Sequence, residues 1–379
     1  MKNPKVAHLL YSFLPVTQNW IYNQLIFNKG VDSIVMCQYH ENIEQFHFNP
    51  VYSFYPVMNV RTKTKLFLTR LHLWYPYKCI EEIINLECPD ILHGHFATES
   101  FKLIDISKRN HLPLVTTLYG LDVNKLPKRK IWENSYSRLF ETGKLFIVEG
   151  HHMAEQLKVL GCPPDRIKVV HIGIDIDKIE NLQSPVANGD NLRILFIGLE
   201  RQKKGAIDAV KAFAIAAHQC PEIELHIIGD GKYKKQVEKI IKSEGLSDRV
   251  ILHGFTSVEK YLGILMSSDI LLAPSCIADD GDTEGGAPVV TIEAQAAGKP
   301  VVSTFHCDIP EVVIDKKTGL LSNEHDIFRI AENIVLLVKD ENMRIRMGLE
   351  GRKHVRRNHN IINQVSILSE LYRSLCERK

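Results

Sequence analysis

Short apolar runs alternate along the whole chain with stretches whose apolar residues recur at helical spacing. That pattern predicts strand–helix–strand units around parallel sheets. In the first half, VAHLLYS, SIVMCQY, DILHGHF, LVTTLY and LFIVEG read as strands; in the second, RILFIGL, ELHIIGD, VILHGF, ILLAPS and PVVSTF do. Between the two sets, Asn181 to Asn191 (NLQSPVANGDN) is polar and turn-forming and reads as a linker. The pattern predicts an α/β chain of two doubly wound domains, over residues 1–180 and 190–359. A last amphipathic helix over 360–379 is expected to cross back to the first domain. In such folds ligands collect beyond the carboxyl ends of the strands, so a cleft between the domains is the default site.

Composition narrows the class. The 379 residues are 45% hydrophobic and 24% charged, as in ordinary globular proteins. Lys+Arg 47 against Asp+Glu 45 leaves no net field to draw nucleic acid. The eight cysteines show no CxxC spacing, which argues against a zinc site and a disulfide framework and for a cytosolic, reduced protein. The N-terminus reads as a first strand and not as a signal peptide. No stretch reaches the about 18–20 apolar residues of a membrane span. Arg61 to Lys78 mixes five basic residues with Leu66, Phe67, Leu71, Leu73, Trp74 and Tyr75. It reads either as a helix for an anionic membrane surface or as a helix covering the sheet.

Residues 273–304, APSCIADDGDTEGGAPVVTIEAQAAGKPVVST, carry most of the chemistry. Glu284 and Glu293 bracket Gly285-Gly286-Ala287-Pro288, and the two glycines let backbone N–H groups approach a ligand closely. Pro288 suits a first helical position, and Gly298 with Pro300 suits a helix end, so VVTIEAQAA reads as a short capped helix. Its N-terminus offers donors and a positive dipole end to an anion such as a pyrophosphate.

The other candidates follow strands. Arg201-Gln202-Lys203-Lys204-Gly205 is a cationic loop suited to a diphosphate leaving group. Gly254 permits close approach of a base or ribose, with Phe255 beside it or in the core. Gly229-Asp230-Gly231 is a tight turn. In the first half, His93-Gly94-His95 and Tyr119-Gly120-Leu121-Asp122 bring two histidines, a phenol and a carboxylate to one end of the sheet, for acceptor hydroxyls and proton handling. His95, read as lying beyond its strand, is favoured over His93. His151 and His152, adjacent on a helix, point apart and make no metal pair. Asp280 and Asp282 read as solvating the turn before Glu284.

Together these segments resemble the retaining glycosyltransferases of family 4 (glycosyl transferases group 1), with further likeness in SFLPVTQNWIYNQL, KVVHIGIDIDKI and IPEVVIDKKTGLL. The first-half segments are most similar to enzymes of exopolysaccharide, capsule or O-antigen assembly. The resemblance implies the GT-B fold: two Rossmann-like domains facing a central cleft, the first for acceptor and the second for donor. It implies Glu293 on the donor ribose, Glu284 with Gly285 and Gly286 at the donor sugar, and Lys204 on the diphosphate. Arg201, Gly254 and Phe255 complete the expected donor side. His95 and Asp122 fall in acceptor-side loops as catalytic candidates beside Glu284, with Tyr119 and His93 as acceptor contacts.

This sequence departs from the family in three places. One extra residue separates Glu284 from Glu293, Leu199 replaces the arginine after the strand glycine, and Tyr119 replaces a histidine. The expected reaction moves a sugar, with retention, from a UDP- or GDP-linked donor to a hydroxyl of a glycan or polyprenyl-linked acceptor in cell-surface polysaccharide synthesis. No cofactor or metal is expected, nor nucleic acid, and the chain is placed in the cytoplasm, at the inner face of the membrane when its acceptor is lipid-linked. A nucleotide-sugar epimerase on the same fold, a glycoside hydrolase and a non-catalytic sugar-nucleotide sensor are the rival readings.

Overall fold

The computed structural model describes residues 3–15, 18–55, 60–70, 76–182 and 191–377. These form two compact units, residues 1–173 with 361–379, and residues 174–360. The residues proposed as a linker lie mostly outside the described set, as do Leu71, Leu73, Trp74 and Tyr75. Arg61 to Leu66 and Phe67 fall in a helix, Val60–Arg70, on which Phe67 is 61% exposed.

The first unit is built on seven strands: β1 (Lys5–Phe13), β2 (Asp32–His40), β3 (Val51–Ser53), β4 (Ile91–His95), β5 (Leu114–Thr117), β6 (Leu145–Val148) and β7 (Ile167–Val169). All pair in parallel, in the order β3-β2-β1-β4-β5-β6-β7. Helices cover both faces, which is why the inner strands read as unbroken apolar runs and not as alternating ones. β1 buries Val6, Ala7, Leu9 and Leu10.

The second unit has six parallel strands: β8 (Leu192–Ile197), β9 (Ile223–Ile228), β10 (Val250–Gly254), β11 (Ile270–Ala273), β12 (Val301–Thr304) and β13 (Gly319–Ser322). Their order is β10-β9-β8-β11-β12-β13. The Ala-rich helix Ala206–Gln219 and the helix Ile327–Lys339 share a core with β8, β9 and β11 through Ala209, Phe213, Ile334 and Leu337.

In both sheets the chain winds one way from the central strand and then reverses. The reversal falls between β1 and β4 in one unit and between β8 and β11 in the other. Neighbouring connections there leave in opposite directions, so the strand ends part and leave room for a ligand.

Candidate donor and acceptor sites

At the reversal of the second sheet, β8 ends in Ile197, just before Gly198, and β11 ends in Ala273. The chemistry-bearing loops follow directly: residues 198–205 after β8 and 274–288 after β11. Gly205, at φ +70, begins the Ala206–Gln219 helix, and a Cβ there would run into the carbonyl oxygen of Pro274. Glycine at this position lets the cationic loop lie against the end of β11.

Lys204 Nζ reaches both oxygens of Glu284, at 3.0 and 3.1 Å, and Ser275 Oγ donates to Glu284 Oε1 at 3.0 Å. The Glu284 side chain is 7% exposed. Burial alone would push its carboxyl up; the ammonium groups of Lys204 and Lys203 and the two hydrogen bonds outweigh it and hold the group below the usual carboxylate range. Asp282 does not solvate the turn. It is buried and pairs with Arg201 Nη1 and Lys203 Nζ, each at 3.3 Å, tying the acidic loop onto the cationic one. Arg201 remains 62% exposed in its side chain.

Glu293 lies on the helix Val289–Ala296. Pro288 is the residue before that helix, not its first, and Gly298 at φ +73 follows its end. Tyr261, on the helix Val258–Ser267, donates its hydroxyl to Glu293 Oε2. Burial raises the Glu293 carboxyl to about 7, although the Tyr261 hydrogen bond and the charge of Lys178 both pull it down. The two glutamates are thus set apart electrically, Glu284 as a fixed anion and Glu293 as a group poised at neutral pH. Gly285 stands at φ +78 before the helix, Gly254 at φ +65 ends β10, and Phe255 is 80% exposed, so its alternative as a core residue is excluded.

The first unit's candidates are packed differently. His95 is the last residue of β4, not beyond it, and His8, His93 and His95 are all buried. The cause is register: β1 and β4 pair His8 with His93 directly, and His95 lies on the same face two residues on. His93 Nδ1 meets the Tyr372 hydroxyl at 2.7 Å and its Nε2 the Thr117 hydroxyl at 2.8 Å. His95 Nε2 meets His8 Nδ1 and its Nδ1 the Tyr119 hydroxyl, both at 3.1 Å. Burial depresses the imidazoles, His95 to about 3, so the cluster is neutral.

Asp122 is buried as well, and its two oxygens accept the backbone N–H groups of Ala97 at 3.1 Å and Tyr119 at 3.0 Å. It therefore closes the starts of two helices, Ala97–Asn110 and Gly120–Asn124, which is a framing role for a residue expected to touch an acceptor. Burial raises it to about 7. Among the described residues, two triplets stand close enough to share a metal ion, His8/His93/His95 and Asp208/Cys276/His325. His325 Nδ1 is already on Asp208 Oδ2 at 2.7 Å.

Sequence reasoning missed Tyr261, Ser275, His306 and Glu324. Tyr261, His306 and Glu324 act on a glutamate or its turn from other elements and Ser275 from the far end of the same loop, so no local spacing reveals them.

A family model described as Glycosyl transferases group 1 matches residues 177–354, and one described as Glycosyltransferase Family 4 matches residues 28–178. The amylovoran biosynthesis glycosyltransferase AmsK of Erwinia amylovora is 35% identical over 227 residues, covering 60% of this chain and 55% of that protein. The D-inositol 3-phosphate glycosyltransferase of Arthrobacter sp. (strain FB24) is 26% identical over 284 residues, covering 70% and 66%. The matched stretch thus spans little more than half the length of AmsK. Among solved structures, Anabaena Alr3699/HepE in complex with UDP and glucose superposes with a TM-score of 0.77 at 17% identity, over 98% of this chain and all of that one. The glycosyltransferase from Rickettsia africae ESF-5 does so with a TM-score of 0.79 at 16% identity, over the full length of both. At these identities the likeness is one of fold. No helix among the described residues is long and apolar enough to cross a membrane.

Proposed function

The chain belongs to glycosyltransferase family 4 and has the GT-B fold, and from that premise we propose that it transfers a sugar, with retention, from a UDP- or GDP-sugar to a hydroxyl of a glycan or polyprenyl-linked acceptor in cell-surface polysaccharide synthesis. The observation that carries the reading is the convergence of Lys204, Glu284 and the Gly285-Gly286 turn at the β8/β11 reversal.

In this reading Glu293 accepts the donor ribose hydroxyls, with Tyr261 holding one carboxylate oxygen and leaving the other for ligand. Lys204 and Arg201 face the diphosphate, whose negative charge grows as the glycosyl bond breaks. Glu284 and the N–H groups of Gly285 and Gly286 orient the sugar. The leaving diphosphate takes the acceptor proton on the same face, so the protein supplies positioning and charge, not a nucleophile. Gly254 and Phe255 border the nucleotide. The buried imidazoles and Asp122 frame the acceptor side, and Tyr119 shapes it. No cofactor or metal is assigned a step. AmsK's amylovoran role supports a polysaccharide acceptor, and the basic Val60–Arg70 helix supports work at the inner, anionic face of a membrane.

Turnover with a panel of UDP- and GDP-sugars, with and without polyprenyl-linked oligosaccharide, tests the proposal. Acceptor-dependent release of nucleoside diphosphate, with the donor's anomeric configuration kept in the product, is expected. An epimerised donor formed without acceptor, or sugar release from a simple glycoside, would overturn it.

A further inference from the structure

The loop between β11 and the Glu293 helix carries Glu284. Its placement depends on two side chains that lie outside it. Glu324, just after β13, accepts the Ile277 N–H on Oε2 at 2.8 Å. Its Oε1 meets His306 Nδ1 at 2.6 Å. His306 follows β12, is 1% exposed, and its Nε2 accepts the Glu284 N–H at 3.1 Å. One carboxylate therefore grips the loop at Ile277 directly and at Glu284 through an imidazole.

The chemistry fixes the tautomer. Only an unprotonated Nε2 accepts the Glu284 N–H, so the ring proton sits on Nδ1, facing the Glu324 carboxylate. Cys307 Sγ lies 3.3 Å from the same Nε2 and competes with nothing on the Glu324 side. Neighbouring bonds make the assembly stiff: Phe305 N–H to Ser322 O at 2.9 Å, and Thr304 Oγ1 to Ser275 O at 2.5 Å. Ser275 in turn donates to Glu284.

We propose that Glu324 and His306 form a clamp that fixes residues 277–284 of this loop and so positions Glu284 against the donor sugar. Both are positioning residues, and their link to the sugar rests on the donor-site reading above. A carboxylate is needed because it accepts two hydrogen bonds at once. In Glu324→Gln the amide keeps one acceptor oxygen and presents N–H to the other partner, so either Ile277 or His306 is released. Glu324→Asp keeps both acceptors. His306→Gln offers an oxygen to Glu284 N–H, whereas His306→Ala offers nothing.

The sugar and the nucleotide are read separately by calorimetry with UDP-glucose and UDP, and with GDP-mannose and GDP, on the full chain. Glu324→Gln and His306→Ala are expected to hold the affinity for the free nucleotide and to lose affinity for the nucleotide sugar by about tenfold, the cost of a hydrogen-bonding group displaced from the sugar. Glu324→Asp and His306→Gln should recover part of that loss. Amide exchange gives a readout that needs no ligand: residues 277–286 should exchange faster in the two damaging variants, with the β8–β13 sheet unchanged. Equal loss for nucleotide and nucleotide sugar, or unchanged exchange at Ile277 and Glu284, overturns the clamp. A wild-type chain that binds none of the four probes defeats the donor-site reading, and exchange still decides the clamp.

Discussion

Glu284 and Glu293 are both buried carboxylates in one unit, yet their surroundings give them opposite proton affinities. Lys204 and Lys203 hold Glu284 as an anion, whereas burial outweighs the Tyr261 hydrogen bond and the charge of Lys178 at Glu293 and raises its carboxyl to about 7. Hydrogen bonds from ribose hydroxyls are strongest to an ionised carboxylate. Nucleotide-sugar affinity should therefore rise between pH 6 and pH 8, by up to about tenfold. The diphosphate of a nucleotide sugar does not titrate there, so Glu293→Gln should bind more weakly and lose the slope in calorimetry. The unliganded protein should show the reverse sign. A carboxyl whose folded value lies above its unfolded one favours folding at low pH and loses that contribution as pH passes about 7. Glu293→Gln should then flatten the fall in melting temperature between pH 5 and pH 8. Lys204→Met tests the other carboxylate. It strands Glu284 with Lys203 at 4.0 Å as its nearest cation, and should cost about 1–3 kcal/mol in urea unfolding besides most of the turnover.

Elements were legible where one periodicity ran long enough. Buried parallel strands such as β1 and β8 announce themselves as apolar runs, and the glycine turn, the cationic loop and Glu293 could be placed from spacing alone. β3 and β7 have three residues each at the edges of the first sheet, too short to show any period. The histidine cluster was legible only as separate histidines, because its face is decided by the pairing of β1 with β4. Glu324 was invisible for the same reason, its partners being 18 and 47 residues away. Gly205 is a place where sequence and element agree closely. Its left-handed φ and the Pro274 carbonyl both forbid a side chain, so Gly205→Ala should destabilise by about 2–4 kcal/mol, combining backbone strain with overpacking. The same change should weaken nucleotide-sugar binding, since Lys204 is the residue before. Normal stability with normal affinity would show that the loop is not held against β11.

The chain's last helix, Ile361–Glu377, belongs to the first unit although it follows the second in sequence. Leu368 and Tyr372 complete a core with Val6, Ile91, Val115 and Ile147, and Ser369 Oγ donates to Asn28 Oδ1 at 2.5 Å. Tyr372 also supplies the hydroxyl on His93 Nδ1, so the C-terminal helix fixes the ring stack at the end of β4. Each unit has its own buried cluster, so damage to this helix should be felt by one unit alone. Leu368→Ala should cost about 2–5 kcal/mol and Tyr372→Phe about 1–3 kcal/mol, the latter by leaving a buried imidazole nitrogen without its partner. Amide exchange can assign those losses. Protection should fall in β1, β4, β5 and β6 and stay unchanged in β8, β9, β11 and β12. Equal loss in both sheets would mean that the units unfold as one cooperative body, and that the returning helix stabilises the whole chain and not the sheet it covers.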